Sequence, residues 1–408
     1  MALRPTLDFL KTEAGGGAAL AAAAALAILA ANSPFAADYF NLIGQPFTVA
    51  VGQFSETLSV RDWVGQGLMS IFFFVVGLEI KQELLKGEFS SPRKLVLPLA
   101  GAAGGMAAPV LVYLAVNLGH PAGAPQGWPI PTATDIAFAL AALALVGRSL
   151  PESLRLFLLT LAIADDLGAI GLIAILYSGH IHAWALVGAA ATLMGLIGLS
   201  EWRDAPFLFR AAGFVVLAAF TLKSGISTSL AGVAAAFTVP IGPRRPGQEG
   251  VLKHFMQSLH PYVAFAVLPL FAFTAAGFSF AGMRWSDVVA PAPLGIAAGL
   301  FIGKQIGVPT AVFLLVRTGL ARRPTGSTWL ELYGVALLCG VGFTLSLFIG
   351  TLAFSGQGEL ARSQMTLGVA VGSVVSALAG MAVLAVAGRR REAREKALPD
   401  QGRARSQA

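Results

Sequence analysis

The chain has 408 residues, of which 56% are hydrophobic and 12% charged, with a formal net charge of +7. Soluble globular proteins carry about 25% charged residues, so this composition excludes a soluble domain and points to an integral membrane protein. The single cysteine, Cys339, excludes an intrachain disulfide.

A helix of roughly 20 apolar residues crosses a bilayer. Twelve segments reach or approach that length: 14–31, 63–80, 95–117, 128–146, 153–177, 183–200, 206–222, 224–241, 260–278, 293–316, 330–354 and 365–387. The fold class is therefore all-α and polytopic, with about twelve transmembrane helices in one domain over 14–387. Residues 1–13 form a cytoplasmic N-terminus. The first segment is long for the core of a signal peptide and has Glu13 at its entry, so it reads as a membrane helix. The connection 32–62 contains "FTVAVG" and "ETLSV" around a glycine-containing turn, a composition that suits a small periplasmic β-hairpin.

The second segment ends in "VGLEIKQELLKGEF". Glu79, Lys81 and Glu83 there read either as a solvated helix end with ordinary ion pairs or as a funnel mouth that attracts cations. The fourth segment is interrupted by Pro129 and Pro131, followed by "TATD" at 132–135. Non-helical backbone at membrane depth is tolerated only where protein buries it or a wet cavity meets it. Asp135 then sits near a half-helix N-terminus, where partial positive charge favours a carboxylate. In the fifth segment, "LAIADDLGAIG" places Asp165 and Asp166 side by side.

Adjacent helical residues point about 100° apart, so the two carboxylates share a cavity but not a partner. Ionised at about 6 Å they repel by about 3 kcal/mol at an effective dielectric near 20. Each also costs about 3 kcal/mol at mid-membrane. The pair therefore calls for a proton or a metal cation, and a site for which both compete is an exchanger. Hard monovalent cations take oxygen ligands, here carboxylates and hydroxyls such as that of Thr134. Lys304 lies near the middle of the tenth segment, where a buried cation needs an anion or a helix end; Asp165 is a natural candidate. Gly340 and Gly342 interrupt the eleventh segment in "LLCGVGFTLSLF". The charged tail 388–408 has the composition of a disordered cytoplasmic segment.

With both termini cytoplasmic, 23 of the 28 lysines and arginines fall inside, four (Arg61, Lys223, Arg284 and Arg362) fall outside, and Lys304 lies within a helix. This skew orients the protein and accounts for its basic charge without nucleic acid. "LPLAGAAGGMAAPVLVYLAV" (97–116) and "APLGIAAGLFIGKQIGVPTAVFLLV" (292–316) are alike, and each precedes an interrupted segment. Helices three to five and ten to twelve thus read as inverted repeats, a transporter signature.

In order along the chain, "FFFVVGLEIKQEL", "PTATDIAFAL", "LAIADDLGAI", "LKSGISTSLAG", "LHPYVAF", "LPLFAFTAAG", "IGKQIG" and "LCGVGFTLSLFI" resemble the NhaA family of bacterial sodium/proton antiporters over about 60–385. The resemblance implies a multi-pass protein of the bacterial inner membrane. It implies exchange of one Na+ or Li+ for two H+, with no cofactor beyond the transported ions, for pH and sodium homeostasis. It implies that Asp166 binds the cation, that Asp165 is the second titrating carboxylate and pairs with Lys304, and that Thr134 and Asp135 lie where two broken helices cross at mid-membrane. Asp135 and Lys304 would compensate opposing helix-end dipoles there. It further implies a homodimer formed partly through the hairpin, and a cytoplasmic entrance with pH response at Glu79, Glu83 and His260.

The chain departs from the family's best-studied members at Gln66, Gln82, Ser227, Met256 and Gln257, where those carry titratable groups. An intramembrane aspartyl protease is disfavoured because its aspartates come from separate helices. Lys304 in the pathway and a proton-binding pair disfavour a passive channel. A sodium-coupled symporter would be marked by solute-stimulated sodium uptake.

Overall fold

The computed structural model describes residues 3–51, 54–87, 92–147, 149–179, 181–201, 206–242 and 250–397. Helix α1 (Leu3–Ala31) turns through 115° into α2 (Ala36–Gly44), a short helix not anticipated from the sequence. Asn32 holds the turn, donating to Phe278 O at 2.8 Å and accepting from Phe280 N at 2.7 Å. Strands β1 (Pro46–Val51) and β2 (Phe54–Ser59) then pair antiparallel, from Pro46 opposite Ser59 to Val51 opposite Phe54. This is the expected hairpin. Lys223 secures it to the body through an ion pair with Glu56 and a 2.9 Å bond to Ser55 O.

Next come α3 (Val60–Lys86), with a π turn at Val64–Leu68, and α4 (Pro92–Asn117). Two 3-10 turns, Pro125–Gly127 and Ile130–Thr132, lead at a 43° bend into α5 (Ile136–Val146). Helices α6 (Glu152–Leu176), α7 (Ala183–Glu201), α8 (Phe207–Ser224) and α9 (Thr228–Thr238) follow. The rest are α10 (Val251–Ala275), α11 (Trp285–Arg317), α12 (Trp329–Leu338), α13 (Phe343–Ala353), bent 42° from α12, and α14 (Glu359–Ala397).

Among the described residues, eight helices are long and apolar enough to cross a membrane, or up to eleven if each bent pair is one span. The expected span at 224–241 is shorter than read from hydropathy. Gly225, at φ +83°, ends α8, and Val239 turns extended before Pro240, so α9 has only 11 residues.

The tail also differs from expectation. Residues 388–397 continue α14 as helix, and 398–408 lie outside the described residues. The run "RRREAREKA" (389–397) has no glycine or proline and is made of good helix formers. Arg391 also docks the extension, donating to Gly326 O at 3.0 Å and pairing with the buried Glu331 at 3.4 Å.

Among the described residues, helix α6 is the most enclosed of the long apolar helices, with 67% of its apolar 18-residue stretch buried. Helices α4 and α11 approach so closely that a Cβ at Gly104 or at Gly307 would overlap the other's carbonyl. A backbone neighbour cannot swing aside. Gly307→Val is expected to cost about 3 kcal/mol, read as a lower unfolding temperature in detergent; an unchanged midpoint would show that the helices tolerate separation.

Candidate ion-binding site

Both predicted helix breaks are present, and they bond to each other. Pro129 precedes and Pro131 lies within the 3-10 turn before the first break, and Gly340 and Gly342 lie within the second, between Leu338 and Phe343. The Asp135 N–H donates to Val341 O at 2.6 Å, and Ser346 Oγ donates to Ile130 O at 2.7 Å. Each interruption thus supplies partners for backbone groups that the other leaves open, which is what buried irregular backbone requires.

Opposite charges sit at the two kinds of helix end. Asp135 caps α5, accepting from Phe138 N at 3.2 Å. Its other oxygen accepts from Thr344 N at 2.9 Å and Thr344 Oγ1 at 2.5 Å, in the first turn of α13. One carboxylate therefore faces two helix N-termini, where orphan N–H groups and the helix dipole favour an anion. Lys304 is fully buried, directly after the π turn Gly299–Gly303 of α11. Its ammonium donates to Thr132 O at 2.6 Å, Asp165 Oδ2 at 2.7 Å and Thr134 Oγ1 at 3.1 Å. All three of its protons have partners, two being a carbonyl at the first break and a carboxylate.

Asp165 and Asp166 diverge as helical neighbours must. Asp165 Oδ2 accepts from Lys304 and lies 2.6 Å from Thr134 Oγ1. Thr134 Oγ1 also lies 2.9 Å from Cys339 O, a carbonyl freed at the end of α12. Asp166, 2% exposed, turns the other way into a cavity of about 400 Å³. Asp165 Oδ1 and Asp166 Oδ1 are buried without a hydrogen-bond partner.

Asp135, Glu79, Glu83 and His260 line the same cavity as Asp166, as do Gln82, Met256 and Gln257. Three of the five departures from the family pattern thus line this one cavity. Asp165, Lys304 and Thr134 are not among the residues lining this cavity.

Lys81 does not join this acidic wall. It donates to Phe237 O at 2.5 Å and Val239 O at 2.7 Å, capping the C-terminal end of α9. Thr344 is the site residue that the sequence reading missed. Its one signal is a hydroxyl just past a glycine break, as Thr134 follows a proline break.

A family model described as "Na+/H+ antiporter 1" matches residues 7–384. The chain belongs to that family. It is 49% identical over 385 residues to the Na(+)/H(+) antiporter NhaA of Bordetella parapertussis, covering 93% of this chain and 95% of that one. The Na(+)/H(+) antiporter NhaA of Rhodospirillum rubrum is 46% identical over 393 residues, covering 94% and 98%. Na(+)/H(+) antiporter NhaA 1 of Syntrophotalea carbinolica is 44% identical over 401 residues, covering 97% of this chain and 100% of its own length. Members of the family are secondary transporters rather than enzymes.

Proposed function

We propose that this protein is an electrogenic sodium/proton antiporter of the bacterial inner membrane. It exports one cytoplasmic Na+ or Li+ in exchange for about two protons and so serves pH and sodium homeostasis. Family membership supports the sodium/proton exchange. The observation that carries the site is the buried acid pair: Asp165 engaged by Lys304, and Asp166 lining a cavity, with its Oδ1 buried without a hydrogen-bond partner.

In this reading Asp166 holds either the cation or a proton, never both. Asp165 and Lys304 form a coupled pair that carries the second proton, so their titration belongs to the pair. Protons from outside load the site, the site reorients, and cytoplasmic sodium displaces them. Asp135 and Lys304 hold the crossed helix ends in register. Glu79, Glu83 and His260 line the cytoplasmic approach.

The chain crosses the membrane twelve times with both termini inside, each of the three bent pairs (α1 with α2, the 3-10 turns with α5, and α12 with α13) counting once and the short α9 counting as the twelfth crossing. Helices three to five and ten to twelve form inverted repeats, and two copies associate through the hairpin. The 43° and 42° bends of the two broken helices support the repeat.

Everted vesicles energised to an acid interior test the exchange. Added sodium is expected to dissipate the proton gradient, and potassium with valinomycin, by clamping the potential, to change the rate. A sodium response indifferent to the clamp would reject electrogenic exchange. No response between about pH 6.5 and 9 would reject antiport and bring the symporter forward.

A further inference from the structure

Two hydroxyls follow the two helix breaks, and both touch a carboxylate, yet only one of them lines the cavity that Asp166 enters. Thr134 Oγ1 is fully buried among Asp165, Lys304 and Cys339 O, and Thr134 is not among the cavity-lining residues. Thr344 is among the residues lining that cavity, as are Asp135, to which it is bonded, and Asp166.

A hydroxyl has one proton and two lone pairs. The Thr344 proton is committed to Asp135 Oδ2 at 2.5 Å, and the backbone N–H of the same residue reaches that oxygen at 2.9 Å. Asp135 is itself fixed as the cap of α5. Side chain and main chain of Thr344 are thus oriented by one anion, which leaves the hydroxyl oxygen free to accept. Hard cations take oxygen ligands, neutral ones included.

We propose that Thr344 Oγ1 is a neutral oxygen ligand of the transported cation, completing the site that Asp166 supplies with charge, and that Asp135 orients it. The proposal rests on the antiport reading above. Thr134, the hydroxyl named from the sequence, is hydrogen-bonded to Asp165 and Lys304.

The test compares wild type, Thr344→Val and Thr344→Ser for sodium-driven dequenching in everted vesicles against sodium concentration. Valine keeps the shape and the N–H but removes the ligand. It is expected to raise the half-saturating sodium concentration about tenfold, the size of one lost charge-assisted contact, with the maximal rate within about twofold. Serine keeps the hydroxyl and is expected to stay within about twofold of wild type on both counts.

If the valine variant transports nothing, the sodium-induced rise in unfolding temperature of the purified proteins decides. The rise is expected to need about tenfold more sodium in valine than in wild type or serine. Valine matching wild type in sodium dependence, or serine impaired as much as valine, overturns the proposal while leaving antiport intact. Wild type lacking both sodium responses overturns antiport, and this inference with it.

Discussion

Asp166→Asn is expected to abolish sodium-driven dequenching in everted vesicles at every sodium concentration. Asparagine fills nearly the same space but neither ionises nor exchanges a proton, so it cannot be the point at which one ion displaces the other. The other two acids at the helix crossing do not substitute: Asp165 is held by Lys304 and Thr134, and Asp135 by the first turns of α5 and α13. The same change is expected to leave the unfolding temperature equal or higher. It removes a buried acid whose Oδ1 has no partner, and functional sites commonly hold groups that stability alone would discard. Loss of transport with a stable fold is the informative pairing. Residual transport above about a tenth of the wild-type rate would place the exchange point elsewhere.

The second large effect is on stability. Lys304→Met is expected to destabilise the protein by about 3–5 kcal/mol, because breaking a buried pair from one side strands the other charge. Lys304 and Asp165 are both 0% exposed at 2.7 Å, so water cannot screen what remains. Asp165→Asn in the same chain is expected to restore most of the loss. The stranded carboxyl can also be neutralised by a proton, which is more available at low pH. The single variant should therefore melt closer to wild type near about pH 6 than near about pH 8.5, and the double variant should lose that dependence. Thermal unfolding of the three proteins at both values reads this directly. A single variant as stable as wild type at the higher pH would show that the pair contributes little.

The breaks and the acid pair were legible because the bilayer makes them costly. Pro129 and Pro131 remove backbone donors, and Asp165 and Asp166 put charge where water is scarce, so each demands a partner that a soluble protein would not need. Lys304 belongs to the same class: its charge called for an anion or a helix end, and it has both, in Asp165 and the Thr132 carbonyl. Features that depend on where one helix ends against another were not legible. Thr344 in isolation reads as an ordinary hydroxyl, and only the crossing brings it to Asp135. Lys81 reads as one member of a charged helix end, and only the short α9, stopped before Pro240, offers it carbonyls to cap. The π turn before Lys304 has no composition of its own, since Gly299–Gly303 looks like any glycine-bearing membrane helix. The helical run past Gly388 was hidden by a charged composition that also suits disorder, and it is Glu331 and Gly326 that give Arg391 something to hold.

Cys339 sits at the second break, fully buried, its carbonyl engaged by Thr134. It is also the one thiol in the chain. The native sequence therefore carries a single-site chemical reporter at the crossing, against a background that needs no engineering. A small maleimide that labels Cys339 only when sodium or a pH step parts α12 from α13 would time that opening directly, and a second thiol placed at the cavity wall would give a distance ruler anchored on a natural residue.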